Sequence, residues 1–250
     1  MRIYWSIKKR LIRLFRKRYV VVKRLGFNFL LDNKNWIDTR LLIGQPYEKA
    51  QLNKMRDLAN EEGCEVFLDI GSNIGLYTIF LSQCPRLSEI HAYEPVRRNF
   101  YQMQANLLIN GLESAIKTHN CALSDHSYMA EINIDPSSTG ISRIDIGDRD
   151  RDCFKIKEEI TCVQLDENQN WKNKKIIIKM DVEGHELAAL KGMRKALIDN
   201  KVIIFVEAFE GSNEMSVSKY LKELSFKEFT NPGGDHLFAN FDLARGQDLN

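Results

Sequence analysis

From residue 65 onward, short apolar runs alternate with stretches of helical periodicity, and no other feature limits the fold so tightly. EVFLDI (65–70) reads as a buried strand, followed by a glycine-containing turn and a helix over 74–84. EIHAYE (89–94) is a second strand, and the helix over 96–109 stops at Asn110 and Gly111. AIKTHNCAL (115–123) is a third strand. KIIIKMD (175–181) is the fourth and HELAALKGMRKALI (185–198) a helix. KVIIFVEAF (201–209) is the fifth, SVSKYLKEL (216–224) a helix, and FKEFT and HLFAN close the sheet. Repeated strand–helix units bury a parallel sheet between two helical layers. The predicted fold is therefore α/β: a doubly wound, mostly parallel seven-stranded sheet with helices on both faces and an antiparallel C-terminal hairpin about 231–234. Residues 128–134 and 159–165 read as a pair of added strands around a polar, irregular stretch, 135–158.

Upstream, the pattern differs. Residues 19–43 alternate and are rich in Val, Phe, Leu and Ile, which suggests two or three short strands with turns near Gly26 and Asn33–Asn35. Residues 47–61 read as a helix that Gly63 ends. Ile3, Ile7, Leu11, Leu14 and Phe15 recur at helical spacing, with Lys8, Lys9, Arg10, Arg13, Arg16 and Lys17 on the other side, so 2–19 reads as an amphipathic helix. The expected organisation is a basic helix over 1–18, an N-terminal strand-and-helix extension over 19–63 packed on the core, and a catalytic domain over 64–245.

Net charge hides an asymmetry. The chain carries 36 basic and 34 acidic residues, and ten of the basic ones, with no acid, lie in residues 1–24. The rest is an acidic domain of net −8. A basic arm suits an anionic membrane surface, reached through residues 2–19. It would also attract nucleic acid, but the acidic core makes that the weaker expectation. Packing on the domain with solvated charges is the plain alternative. No apolar run nears the ~20 residues of a membrane span, and the N-terminus has no apolar core of a signal peptide. Five scattered cysteines form no CxxC pair, which argues against a disulfide framework or metal cluster. The expected location is cytoplasmic, peripheral to the inner membrane face if the arm binds there.

Chemistry concentrates at the strand ends. FLDIGSNIG (67–75) sits where the first strand turns into a helix, and Gly71 and Gly75 let the backbone pass close to a ligand. The spacing is neither that of a dinucleotide site nor that of a P-loop. An acid ahead of the first glycine repels phosphate and suits an ammonium group. Glu94, in YEP at the end of the second strand, can accept both hydroxyls of a ribose. The ligand thus reads as a nucleoside carrying an amino acid, and the two acids with their glycines describe an S-adenosylmethionine site.

With these residues the chain resembles the FkbM-type methyltransferases, within the class I S-adenosylmethionine-dependent enzymes. The resemblance rests on DIGSNIGLYT (69–78), AYEP (92–95), NCALSD (120–125) and above all IKMDVEGHELAALKGM (178–193), with VIIFVEAF (202–209) fitting the next strand. It covers roughly 45–240. Ser72 is a mild departure where alanine is more usual. The resemblance implies that Asp69, Gly71, Ser72, Asn73 and Gly75 line the methionine half of the cofactor. It implies that Glu94 holds the ribose and that Asn120 to Ala122 flank the adenine.

In an open parallel sheet, ligands bind beyond the carboxyl ends of the strands at the switch point. Asp181, Glu183 and His185 follow the fourth strand there and are the expected catalytic residues: Asp181 or Glu183 orients the acceptor hydroxyl and His185 is a candidate base. Glu207, at the end of the fifth strand, could pair with Lys179, bind substrate, or hold a cation with Asp181. Magnesium suits such oxygens, but two carboxylates alone do not establish it. His236 and Asp235 lie on a loop that could reach the same mouth, with His236 taken as a substrate residue. Glu48 matches the family's entry segment with an open role. The expected activity is O-methylation of a sugar, glycan or other small hydroxylated acceptor, lipid-linked in one version. The alternatives are an RNA methyltransferase using the basic arm and a non-catalytic cofactor-binding subunit. Ser137, Ser138, Arg143, Arg149 and Arg151 mark 135–158 as the expected specificity insert.

Overall fold

The computed structural model describes residues 17–45, 47–144, 153–207, 212–231 and 235–244. The basic helix expected over 2–19 lies almost wholly outside the described residues, as do Arg149 and Arg151 of the insert.

Seven strands form the central sheet: β3 (Val66–Ile70), β4 (Glu89–Tyr93), β5 (Lys117–His119), β9 (Lys175–Met180), β10 (Lys201–Val206), β11 (Lys227–Phe229) and β12 (His236–Ala239). Their order is β11-β12-β10-β9-β3-β4-β5. All pairings are parallel except those of β12, which lies antiparallel between β10 and β11. The predicted doubly wound sheet and its antiparallel hairpin are thus present.

Side chains two apart share a face of a strand, and this splits the core in two. Phe67, Ile177, Ile203, Phe205 and Leu237 pack against α2 (Lys49–Glu62), α3 (Leu76–Leu81) and α4 (Arg97–Leu108). Val66, Leu68, Ile70, Ile176, Ile178, Met180, Val202, Ile204 and Phe238 pack against α6 (Glu186–Gly192), α7 (Arg194–Ile198) and α8 (Ser212–Glu223). Both faces of the inner strands are buried, which is why they read as continuous apolar runs.

Three local expectations need correction. The reading of 19–43 as strands holds only for the hairpin of β1 (Tyr19–Arg24) and β2 (Phe27–Asp32); WIDTRLLI folds as α1 (Trp36–Ile43). Asn35 Oδ1 accepts from Ile37 N–H at 3.0 Å, and Gly44, at φ 77°, ends the helix in the left-handed conformation. Eight residues with apolar side chains at both ends carry too little periodicity to separate the two structures. The third strand is split: β5 stays in the main sheet, while β6 (Ala122–Leu123) joins β8 (Ile156–Val163) and β7 (Tyr128–Ile134) in a small second sheet. The 185–198 helix breaks at Met193 into α6 and α7.

The N-terminal hairpin is tied to α4. Asn106 accepts from Leu30 N–H at 2.6 Å and donates to Ile74 O at 2.9 Å, and Gln102 donates to Leu30 O at 2.9 Å. The second sheet carries residues 137–144 across the ends of β3 and β9. There Ser137 O accepts from Trp36 N–H at 3.0 Å, and Asn133 and Arg143 exchange backbone hydrogen bonds.

Candidate active site

A cleft of about 980 Å³, measured out to its mouth, opens at the carboxyl ends of β3, β4 and β9. Its walls are the β3–α3 turn, the β4–α4 turn, Cys121 to Leu123, Gly140, Ser142 and Ile144 of the crossing segment, and Tyr47, Glu48 and Tyr77. This is the crevice where an open α/β sheet binds ligands.

The β3–α3 turn is built by close backbone approach. Gly71 N–H and Ser72 N–H both donate to Tyr93 O at 3.0 Å, and Asp181 N–H donates to Ile70 O at 3.0 Å. A Cβ on Gly71 would lie 1.9 Å from Asp181 O, and its φ is +82°; only glycine fits. Gly75 has another task. It lines the helix side of the turn, where a Cβ would meet Met103 Cγ at 2.9 Å, and it is absent from the cleft wall. Three non-glycine residues with positive φ, Glu48 (50°), Asn73 (50°) and Glu183 (54°), all line the cleft. Backbone strain of this kind collects at ligand sites.

The two sequence-predicted acids are buried and already partnered. Asp69 Oδ2 accepts from Thr78 N–H at 2.9 Å and from Thr78 Oγ1–H at 2.5 Å, so it also caps α3. Burial pushes its carboxyl up to about 6. Glu94 accepts from Asn73 N–H at 2.8 Å, from Val96 N–H at 2.9 Å and from Asn99 Nδ2 at 3.4 Å. Burial pushes it up to about 7. A carboxylate offers about four acceptor positions. Glu94 therefore keeps one for a ribose hydroxyl, and a second hydroxyl would displace only the long Asn99 contact. The closed glycine turn, the buried acids and the absence of any lysine on the β3–α3 turn fit a nucleoside–amino acid ligand. Ala122, Cys121, Val96 and Pro95 offer an apolar wall for a base. Asn120 is placed elsewhere: exposed, it donates to Glu94 O at 2.8 Å and Pro95 O at 3.0 Å and so fixes the β4–α4 turn.

The β9 end differs. Asp69 is in register with Lys179, Lys179 with Phe205, and Phe205 with Leu237, so all four side chains share one face. Two residues on, the same alternation puts Asp181, Glu207 and Asp235 on that face; Asp181 lines the cleft, and Asp235 lines a neighbouring hollow with Glu228. Lys179 is 3% exposed, with Nζ 3.0 Å from Asp235 Oδ2 and 3.7 Å from Asp181 Oδ2. Burial works against its charge, but Asp181, Asp235, Glu48 and Glu207 hold its pKa above the usual lysine range. Burial, Asp181 and Asp235 push Glu207 upward. The Tyr77 ring lies 5.4 Å from Lys179 Nζ, and Tyr77 Oη accepts from Gln51 Nε2 at 3.1 Å. An ammonium thus stands among the acids where a metal ion would otherwise sit. Among the described residues, no group of three or more His, Cys, Asp or Glu has the arrangement of a metal site.

The remaining predicted residues separate. Glu183 lines the cleft and accepts from Arg143 Nη2 at 3.1 Å; burial and Asp181 push it up to about 7. His185 also lines the cleft, but its Nε2 lies 3.0 Å from Ser124 Oγ, and burial lowers its pKa. His236 does not reach the mouth. It stands one residue from Asp235 and so faces the other side of the sheet, 3.2 Å from Glu228 and 3.5 Å from Glu214. Lys179, Tyr47 and Tyr77 were not singled out as site residues from sequence. The one legible signal was Lys179 itself, a cation inside an apolar strand two residues before Asp181.

The chain is similar to known methyltransferases in sequence. "Methyltransferase 1" of Beauveria bassiana (strain ARSEF 2860) is 26% identical over 198 residues, covering 71% of this chain and 78% of that protein. The hexuronic acid methyltransferase AglP of Haloferax volcanii is 28% identical over 172 residues, covering 66% of this chain and 65% of its own length. The crystal structure of an O-methyltransferase from Bacillus cereus, in complex with SAH, superposes with a TM-score of 0.47 at 12% identity, over 96% of this chain and 98% of that one. The methyltransferase FkbM domain model matches residues 69–230, well over half of the chain. The chain belongs to the FkbM family of S-adenosylmethionine-dependent methyltransferases.

Proposed function

We propose that the protein is an O-methyltransferase for a hydroxyl of a sugar, glycan or other small hydroxylated acceptor. The observation that carries this reading is Asp181 and Lys179, paired with each other in the cleft wall beside the turn of Gly71 and the buried Glu94. A relative named for a hexuronic acid supports a saccharide acceptor.

S-Adenosylmethionine supplies a methyl group already activated by its sulfonium. The protein then has two tasks: to orient the acceptor and to take its proton. Asp69 and the Gly71–Asn73 turn hold the amino-acid half of the cofactor, Glu94 the ribose, and Cys121 and Ala122 the base. At the other end Lys179 donates to the acceptor oxygen and Asp181 accepts its proton. A positioned general base contributes roughly 10²–10⁴-fold, and orientation supplies much of the rest. Glu183, tied to Arg143, and His185, tied to Ser124, shape the wall between the two ends.

The test is methyl transfer from labelled cofactor to saccharide fractions. In Asp181→Asn, turnover should fall by roughly 10²-fold or more while S-adenosylhomocysteine affinity stays near that of the parent. Equal turnover in the two proteins would remove Asp181 from the mechanism.

The basic residues of 2–19 support a resting place on an anionic membrane surface, with about 1 kcal/mol per basic residue at low salt. No described helix is long and apolar enough to cross a membrane. Salt-sensitive sedimentation with anionic liposomes, lost on deleting residues 1–18, is the expected result. Preferential binding to RNA would favour a nucleic-acid partner instead.

A further inference from the structure

Residues 137–144 cross the ends of β3 and β9 as a strap, and Gly140, Ser142 and Ile144 form part of the cleft wall. A Cβ on Gly140 would lie 2.3 Å from Ile37 Cδ1 and 3.1 Å from Asn73 Nδ2. The strap therefore rests on α1 and on the turn whose Asn73 N–H donates to Glu94 at 2.8 Å. At one end Ser137 O accepts from Trp36 N–H at 3.0 Å, and at the other Asn133 and Arg143 exchange backbone bonds at 2.8 and 2.9 Å. Between them lies a single turn of 3₁₀ helix, Thr139–Ile141, and among the described residues no part of the strap joins the main sheet. Arg143 then reaches the β9–α6 turn, where its Nη2 donates to Glu183 Oε2 at 3.1 Å. The Glu183 side chain is 11% exposed. Glu183 lines the cleft and holds φ 54°, a costly conformation for a residue other than glycine and one that collects at ligand clamps.

We propose that Arg143 and Glu183 are positioning residues for the cofactor: their ion pair latches the strap over its nucleoside half, and cofactor and product exchange when the latch opens. This rests on the reading that S-adenosylmethionine occupies this cleft with its ribose on Glu94. The two partners come from separate parts of the chain, one from the strap and one from the turn after β9. Their contact joins the strap to the wall that also carries Asp181. A charge-assisted hydrogen bond between partly buried side chains is stronger than a neutral one, yet it can break without disturbing a single pairing of the main sheet. The strap's other ties are backbone bonds to α1 and to β7, at its two ends. A latch acts on rates. When closed it obstructs entry and exit alike, so weakening it speeds both, and loops that close over ligands commonly limit product release. Damage to the binding surface itself would instead weaken affinity without speeding entry.

The experiment reads S-adenosylhomocysteine association and dissociation by surface plasmon resonance over the immobilised full chain. In Arg143→Met, which keeps the aliphatic stem and removes the charge, koff should rise roughly tenfold, with kon equal to the parent's or faster. Glu183→Gln should move koff in the same direction. The double variant should release the ligand no faster than the faster single variant, because two partners of one contact are not additive. Arg143→Lys, which keeps the charge, should fall between the parent and Arg143→Met. The Arg143 side chain is 34% exposed, so these replacements leave the core untouched. A parent chain that does not bind S-adenosylhomocysteine would overturn the reading of the cleft beneath this proposal. Given binding, an unchanged koff in both single variants, a gain in the double variant equal to the product of the two single gains, or a slower kon in Arg143→Met overturns the latch.

Discussion

The two ends of the cleft hold buried carboxylates in opposite ways. At the β3–β4 end, Asp69 and Glu94 accept from backbone N–H groups of α3 and of the two adjoining turns, at 2.8–2.9 Å. At the β9–β12 end, Asp181 and Asp235 face the side chain of Lys179 and keep oxygens without hydrogen bonds among the described residues. Backbone donors belong to a turn and keep their geometry when side chains change. A lysine on a four-carbon stem belongs to one residue. The first arrangement follows from the backbone of the turns, and the second hangs on a single side chain.

The largest effect should come from Lys179→Met. Removing this cation from the acidic group costs about 3–5 kcal/mol, as when a buried pair loses one partner. Urea unfolding at pH 8 should show most of that loss, and methyl transfer should be abolished. A loss below about 1 kcal/mol would mean that solvent, not Lys179, neutralises the acids, and the contrast between the two ends would collapse.

Next is Glu94→Ala, which leaves the N–H groups of Asn73 and Val96 without their acceptor. S-Adenosylhomocysteine affinity should weaken by about 2–3 kcal/mol in calorimetry, with Glu94→Gln in between. Unchanged affinity would place the cofactor outside the β3–β4 end.

A smaller effect follows pH. Burial raises Glu94 to about 7 and Asp69 to about 6, above the usual carboxylate range. The folded chain without ligand therefore binds more protons than the unfolded chain between these limits. Their contribution to stability is fully present below the unfolded pKa and is lost as pH rises through 6 to 7. Cofactor hydroxyl and ammonium groups prefer the ionised acids, so S-adenosylhomocysteine affinity should run the other way. It should rise between pH 5.5 and 8, by up to about tenfold per pH unit, and flatten in Glu94→Gln. An affinity that falls over this range would show that the acids bind the ligand protonated.

The smallest expected effect is at the seam. Ser124→Ala removes the hydroxyl beside His185 Nε2 and should cost about 1 kcal/mol of stability, with turnover within a few-fold of the parent. A collapse of turnover, with a shifted pH–rate profile, would make His185 the base in place of Asp181.

Much of this was legible without coordinates. DIGSNIG and YEP marked the β3–α3 and β4–α4 turns, because a turn and the acid beside it are local in sequence. The added strand 128–134 was read to its bounds, whereas its partner, read over 159–165, runs from Ile156 to Val163. Asn120 was misplaced because a strand-end side chain serves either a ligand or its own turn, and nothing local separates the two. His236 and Asp235 were read together as a loop that could reach the mouth, yet the face each one takes depends on how β12 inserts between β10 and β11.

The sequence by itself determined the α/β class, the family and the two glycine- and acid-bearing turns after β3 and β4. Apolar periodicity and glycine spacing are properties of neighbours along the chain. Tertiary structure alone decided that Lys179 lies between Asp181 and Asp235, that the Tyr77 ring lies against it, and that 36–43 is a helix. Strand register sets which side chains share a face, and a shift of one residue would send all of them to the opposite side of the sheet.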